Sequence, residues 1–297
     1  MTLQELLAQD KPRLVLGKAA AASTAGHYNA YQRFDWPARL PDELPWMSED
    51  LLTIAGTAFA SEWPDEVKRR LGRCESLNFY SLNIHGEREL IGEVIKRIHT
   101  QEWSGASEFF HHFIEEENAH IWFFAKFCLD YGGKIYPDRR LSMAKQVASK
   151  EIEQFVVLAK ILIFEELVDY FNRRMAEDQT LPALVRELNR VHHLEESRHI
   201  ACSRELVAAA FAVARAGADE PALRALESYL RGYMKVCLEG LYNPTVYADA
   251  AIPISPYELR RALLRDPARS ARHADIMRRT QIFMTRLGVF TETEVSP

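Results

Sequence analysis

The sequence predicts an all-α protein, a bundle of long antiparallel helices. Two observations predict it. No stretch alternates apolar and polar residues at period two over a useful length, and apolar residues recur at helical spacing through long proline-free segments, 65–136 and 138–181. No repeat of 20 to 50 residues and no low-complexity tract interrupts the pattern. At 297 residues, 47% of them hydrophobic, the chain can bury a large core, and it is read as one domain over 1–297.

The elements follow in order. Residues 1–47 read as irregular, because Pro37, Pro41 and Pro45 forbid a continuous helix ahead of Ser48, a helix-capping residue type. Pro64 suits a first helical turn, so helices are expected over about 64–98 and 106–131, the second stopped by Gly132 and Gly133. A third is expected over 141–177 and a fourth from Pro182 to about 216, ending near Gly217. These make a four-helix core over 64–216. A fifth helix over 221–241 opens a C-terminal region, 221–290, in which the proline-rich stretch YNPTVYADAAIPISP leads to one or two short amphipathic helices ending near 287.

Composition excludes several classes. A formal net charge of -5 leaves no electrostatic footprint for nucleic acid, and Lys68, Arg69 and Arg70 read as a wetted helix surface. The longest apolar stretch, Phe155 to Phe164, is broken by Lys160 and falls short of the ~20 residues a membrane span needs. The N-terminus has no apolar signal region, so no secretory signal is expected. Cys74, Cys128, Cys202 and Cys237 lie far apart without pairing motifs, as in the reduced thiols of a cytoplasmic protein.

The stretch RVHHLEESRHI, 190–200, crowds ionisable groups into the fourth helix. A helix turns about 100° per residue, so His192, Glu196 and His199 fall within roughly 60° of one another, on the apolar stripe of Val185, Leu188 and Leu206. His193, Glu195 and Arg198 are expected to face water. On the helix EFFHHFIEEENAHIWFFAKFC, Glu117 and His120 share the stripe of Phe110, Phe113, Phe124 and Phe127. The equally spaced Glu108 and His111 sit on a polar face, and Glu115 and Glu116 lie off the stripe centre. Glu87 follows the inner stripe of Tyr80, Asn83 and Val94, whereas Glu89 sides with His85 and Lys96. Glu165 follows Leu158, Ile161 and Val168, and is preferred to Glu166 by a narrower margin.

Four helices thus direct Glu87, Glu117, His120, Glu165, His192, Glu196 and His199 into one core. Four buried carboxylates without cations would each cost several kcal/mol, and no inward Lys or Arg neutralises them. Two divalent ions would, four negative charges against two doubly positive ones. One Glu from each of two helices and a Glu-x-x-His from each of the other two is the donor arrangement of dinuclear carboxylate bundles. Mixed imidazole and carboxylate donors without an inward thiolate suit iron or manganese rather than structural zinc. His192 is additional to that arrangement; spacing alone leaves it either a ligand or a core histidine beside the ligands.

The spacing His192-x-x-x-Glu196-x-x-His199, the IEEENAH box, the GERELIGE helix and the lone Glu165 together resemble the AurF-like (p-aminobenzoate N-oxygenase) family of ferritin-like di-iron oxygenases. The resemblance runs from about Pro64 through the YADAAI and IMRRTQIFMTRLGVF stretches. It implies a ferritin-like four-helix-bundle core with additional flanking helices, and three histidines with four carboxylates as ligands, His192 being the third histidine. It also implies two iron ions as cofactor and O2 as co-substrate. The implied reaction passes through a peroxo-diferric species that oxidises an aryl- or alkylamine nitrogen to the hydroxylamine, nitroso or nitro level. The partners it implies are a small-molecule amine, free or carrier-tethered, an electron donor and a second copy of the chain in a homodimer. The same metal site supports hydroxylation or desaturation at carbon, which is the alternative activity; a metal store or oxygen sensor is a third.

Residues one turn from these ligands are the candidate substrate-pocket wall: Tyr80, Asn83, Phe113, Phe124, Val168, Asn172 and Ser203, with core packing the competing role for the aromatics. Asp169 is expected either to orient a ligand histidine or to pair with Arg173 at the surface.

Overall fold

The computed structural model describes residues 1–138 and 149–292, and among these every regular element is helical. The chain forms α1 (Leu3–Leu7), α2 (Asp10–Gly26), α3 (Ala30–Arg33), α4 (Ala58–Glu62), α5 (Asp65–Val94), α6 (Ser107–Gly132), α7 (Lys150–Glu177) and α8 (Ala183–Gly217). Then come α9 (Glu220–Gly240), α10 (Pro244–Asp249), α11 (Pro256–Leu263) and α12 (Pro267–Leu287).

The long helices begin and end where their chemistry dictates. Asp65 and Glu66 place negative charge in the first turn of α5, against the exposed amide end of the helix. Gly133, at φ 68°, closes α6 in the left-handed region that glycine enters without a Cβ penalty. The Ser149 side chain accepts from the Ile152 amide to cap α7, and Asp219 does the same for Ala222 at α9. The expected start of the third helix, 141–148, lies outside the described residues. Helix α5 stops at Val94, four residues before the expected end.

The N-terminal region departs from expectation. Residues 10–26 form a 17-residue helix with Pro12 in its first turn. The three prolines at 37–45 restrict only the segment that holds them, and the alanine-rich run of α2 buries Leu16, Ala19 and Ala20 against α6 and α8. The C-terminal region is more helical than expected too, since α12 alone spans 21 residues.

Helices α5 with α6 and α7 with α8 pack along their lengths as two pairs, and the pairs face each other across the core. Helices α2, α9 and α12 flank this bundle, α2 over α6 and α8, α9 and α12 over α7. One closest approach bears on the site: Gly86 of α5 lies under the Phe164 ring of α7, where any Cβ would collide with it.

A candidate metal centre in the bundle core

The bundle interior is polar at one level. Glu87, Glu117, His120, Glu165, His192, Glu196 and His199 are each at most 1% exposed, and the structure brings all seven together. Their donor atoms form two groups, Glu87, His120, His192 and Glu196 in one and Glu117, Glu165, Glu196 and His199 in the other. Within each group all atoms lie within 4.8 Å of one another. Glu196 belongs to both. His192 Nε2 stands 3.2 Å from Glu87 and 3.0 Å from Glu196. His199 Nδ1 stands 2.9 Å from Glu117, which is 3.6 Å from His120 Nδ1.

The inward atoms are short of partners. Both carboxylate oxygens of Glu87 and of Glu117, one of Glu165 and one of Glu196 make no hydrogen bond, nor do His120 Nδ1, His192 Nε2 and His199 Nδ1. Burial pushes the Glu87 carboxyl up to about 7 and holds Glu165 well above the usual range. Buried polar atoms in folded proteins are otherwise almost always paired, so this concentration of electron-pair donors fits a pair of divalent cations.

The outward atoms, by contrast, are held. His120 Nε2 meets Glu195 at 2.7 Å and His199 Nε2 meets Glu116 at 2.7 Å. Imidazole N–H groups donating to carboxylates at these positions leave both Nδ1 lone pairs facing inward. Burial works against ionisation of Glu116, but His199 and Arg198 outweigh it and hold the carboxyl down to about 2. His192 Nδ1 lies 2.6 Å from the Asn172 side-chain amide, whose Nδ2 is nearer while its Oδ1 has no partner. A half-turn of that amide lets Oδ1 accept Nδ1–H and frees Nε2 as a donor to a metal. Ser203 donates to Glu165 at 3.0 Å.

Several sequence expectations are corrected here. Glu195 does not face water: it is 5% exposed, because α6 and Tyr28 cover that side of α8, and Tyr28 donates to it at 3.2 Å. Glu116 likewise turns in toward His199. His193 is half-buried against Asp169, which therefore neither orients one of the three inward histidines nor pairs with Arg173; its other ionic neighbour is Arg279 at 3.9 Å. Glu166, the alternative to Glu165, is engaged by Arg204 at 2.9 Å and Thr280 at 2.6 Å, away from the donor groups.

The expected pocket wall divides in two. Phe113 and Phe124 pack on His199 and His192, with ring centroids 4.6 Å and 4.9 Å apart. Tyr80 stacks on Phe124 and accepts from Asn189, Asn83 bonds back to Phe79, and Asn172 and Ser203 serve the donor residues. Only Val168 of the seven lines the cavity of about 760 Å³ that opens between α5, α7 and α9.

Fold and site define a helical-bundle protein whose buried carboxylates and imidazoles can hold metal. Comparison with protein families makes the assignment specific: the model of the family described as P-aminobenzoate N-oxygenase AurF matches residues 10–288, and the chain belongs to that family, an oxygenase family. No curated protein matches the chain. Among the described residues no helix is long and apolar enough to cross a membrane.

Proposed function

We propose that this chain is a di-iron, O2-dependent N-oxygenase acting on the amine nitrogen of a small organic substrate. The observation that carries the reading is the pair of four-donor groups joined at Glu196, with inward atoms unpartnered and outward histidine nitrogens held. Family membership supports the amine as the target, since the family description names p-aminobenzoate as the molecule whose nitrogen is oxygenated. Glu87, His120 and His192 would hold one iron and Glu117, Glu165 and His199 the other, with Glu196 common to both.

Two irons so held supply the activation of O2. The chain does the rest. Glu195 and Glu116 fix the tautomer and tilt of His120 and His199, Ser203 steadies Glu165, and Phe113, Phe123 and Phe124 exclude water from the imidazole side. The cavity between α5, α7 and α9, walled by Phe79, Leu82, Phe164, Val168, Tyr229 and Tyr233 with Glu89, Lys160 and Arg260 also in its lining, has the volume of a small-molecule site. Gly86 and Phe164, which line it, immediately precede Glu87 and Glu165 on α5 and α7, and the Phe164 ring lies over Gly86. Transfer of one oxygen atom to the nitrogen and reduction of the other to water consumes two electrons and two protons. An electron donor is therefore part of the reading.

The test is isotopic. The chain, loaded anaerobically with ferrous iron and given a chemical reductant, ¹⁸O2 and a panel of aryl- and alkylamines including 4-aminobenzoate, is expected to place label on nitrogen. Label on carbon instead would establish the hydroxylase activity and overturn the N-oxygenase one.

A further inference from the structure

We propose that the two donor groups sort divalent metals by hardness, and that His192 is the residue that makes them unequal. The inference rests on the dinuclear reading above and deepens it.

The groups can be compared donor by donor. His120 and His199 are alike: each presents Nδ1 inward and has Nε2 held by a carboxylate at 2.7 Å, Glu195 buried and Glu116 partly so. Glu87 and Glu165 are equivalent too, one carboxylate from each of α5 and α7, and Glu196 is shared. What remains is His192 on one side and Glu117 on the other. Their placement keeps them apart, His192 Nε2 lying 3.2 Å from Glu87 and 3.0 Å from Glu196, Glu117 closer to His199 (2.9 Å) than to His120 (3.6 Å).

The outer partners do not erase this difference. His192 is backed by the neutral Asn172 amide, so it enters as a neutral nitrogen donor where Glu117 brings a negative oxygen. One position therefore offers two imidazoles and two carboxylates, the other one imidazole and three carboxylates. Imidazole favours the later divalent ions of the first transition row over manganese, whereas carboxylate-rich positions suit manganese. All seven side chains are at most 1% exposed, which limits the water that could level the two positions. A mixed supply of metals would then assemble a mixed pair, the later metal beside His192 and manganese beside Glu117.

The test uses the full chain, freed of metal and given equimolar Co²⁺ and Mn²⁺, with anomalous diffraction recorded at both absorption edges. With one equivalent of each ion per chain, cobalt, which binds more tightly than manganese at any such site, is expected among Glu87, His120 and His192, leaving manganese among Glu117, Glu165 and His199, each the majority occupant of its position. In His192→Glu, whose two positions carry like donor sets, the sorting is expected to vanish. A solution measurement on the wild-type chain stands beside it: with two manganese ions bound, one equivalent of Co²⁺ is expected to displace one of them and leave the other. Equal scattering of both metals over both positions, displacement of both manganese ions alike, or sorting that survives His192→Glu would overturn the proposal. Absence of metal from both positions would instead overturn the dinuclear reading, and the sorting with it.

Discussion

Two regions of this molecule bury carboxylates, and they do so in opposite ways. Beneath the 3-10 turn at Glu49–Leu51, Glu75 of α5 is 4% exposed and fully engaged: the Thr53 amide donates to one oxygen at 2.9 Å and the Thr53 hydroxyl to the other. Tyr247 donates in turn to that hydroxyl, and Arg269, tied to Tyr242 and to the Ala55 carbonyl, lends its positive charge. Three turns along the same helix Glu87 is just as buried and neither of its oxygens has a hydrogen bond. Burial of a charge is therefore not by itself a sign of function. Around Glu75 the chain supplies every donor the carboxylate needs; around Glu87 and Glu196 it gathers electron pairs and leaves them for something outside the chain to receive.

The largest effect should come from that difference. Saturating ferrous iron at 100 times its dissociation constant stabilises the fold by about 2.7 kcal/mol per site, so two sites give about 5 kcal/mol, readable as a rise in melting temperature that a chelator reverses. Glu196→Ala, which removes the shared donor, should abolish nearly all of the rise. A chelator-insensitive melting temperature in the iron-loaded wild type would count against the metal site. Next in size, Glu75→Ala should cost about 2–4 kcal/mol with or without metal, because it strands the Thr53 amide and opens a cavity, while iron affinity stays as in the wild type. A loss of iron binding in that variant would erase the distinction between the two regions.

Glu75 also has a pH signature. Burial outweighs its Thr53 hydrogen bonds and the Arg269 charge and pushes its carboxyl up to about 7 from the ordinary 4.5. A raised native value means that the folded state holds the proton more tightly, so stability from this group is fullest below the unfolded value and declines as pH rises from 4.5 towards 7. Glu75→Gln should flatten that slope in chelator-treated protein; an unchanged slope would assign it elsewhere.

Smaller again is the outer layer. Glu116→Gln and Glu195→Gln keep the hydrogen-bond geometry and lose the charge behind His199 and His120, and each should weaken iron binding roughly 10- to 100-fold with little change in the metal-free melting temperature. Tyr28→Phe removes only the 3.2 Å bond to Glu195 and should shift stability by no more than about 1 kcal/mol.

The seven inward side chains were legible because each sits at helical spacing on an apolar stripe, and the two Glu-x-x-His boxes mark two of the helices. Glu116 and Glu195 were misread for a physical reason: a single helix's periodicity shows where a side chain leaves its own axis and knows nothing of the neighbour that covers it. A signal was nonetheless present. Both boxes read Glu-Glu-x-x-His, 116–120 and 195–199, and the first Glu of each reaches the histidine of the other, a reciprocity that only the packing of α6 against α8 reveals. Helix α2 was hidden because the prolines at 37–45 coloured the reading of the whole segment, although its alanine run favours helix. The cavity wall was the least legible part, since α9 contributes Tyr229 and Tyr233, two of its six named residues, from 60 or more positions further along the chain, and no periodicity within α5 or α7 announces that partner.

The central claim is that the buried cluster is a dinuclear metal centre, and iron-edge anomalous diffraction from crystals of the iron-loaded chain tests it most directly. Two anomalous peaks between α5, α6, α7 and α8, one beside Glu87, His120 and His192 and one beside Glu117, Glu165 and His199 with Glu196 between them, are the predicted result. No peak among these seven side chains under saturating ferrous iron would contradict the account.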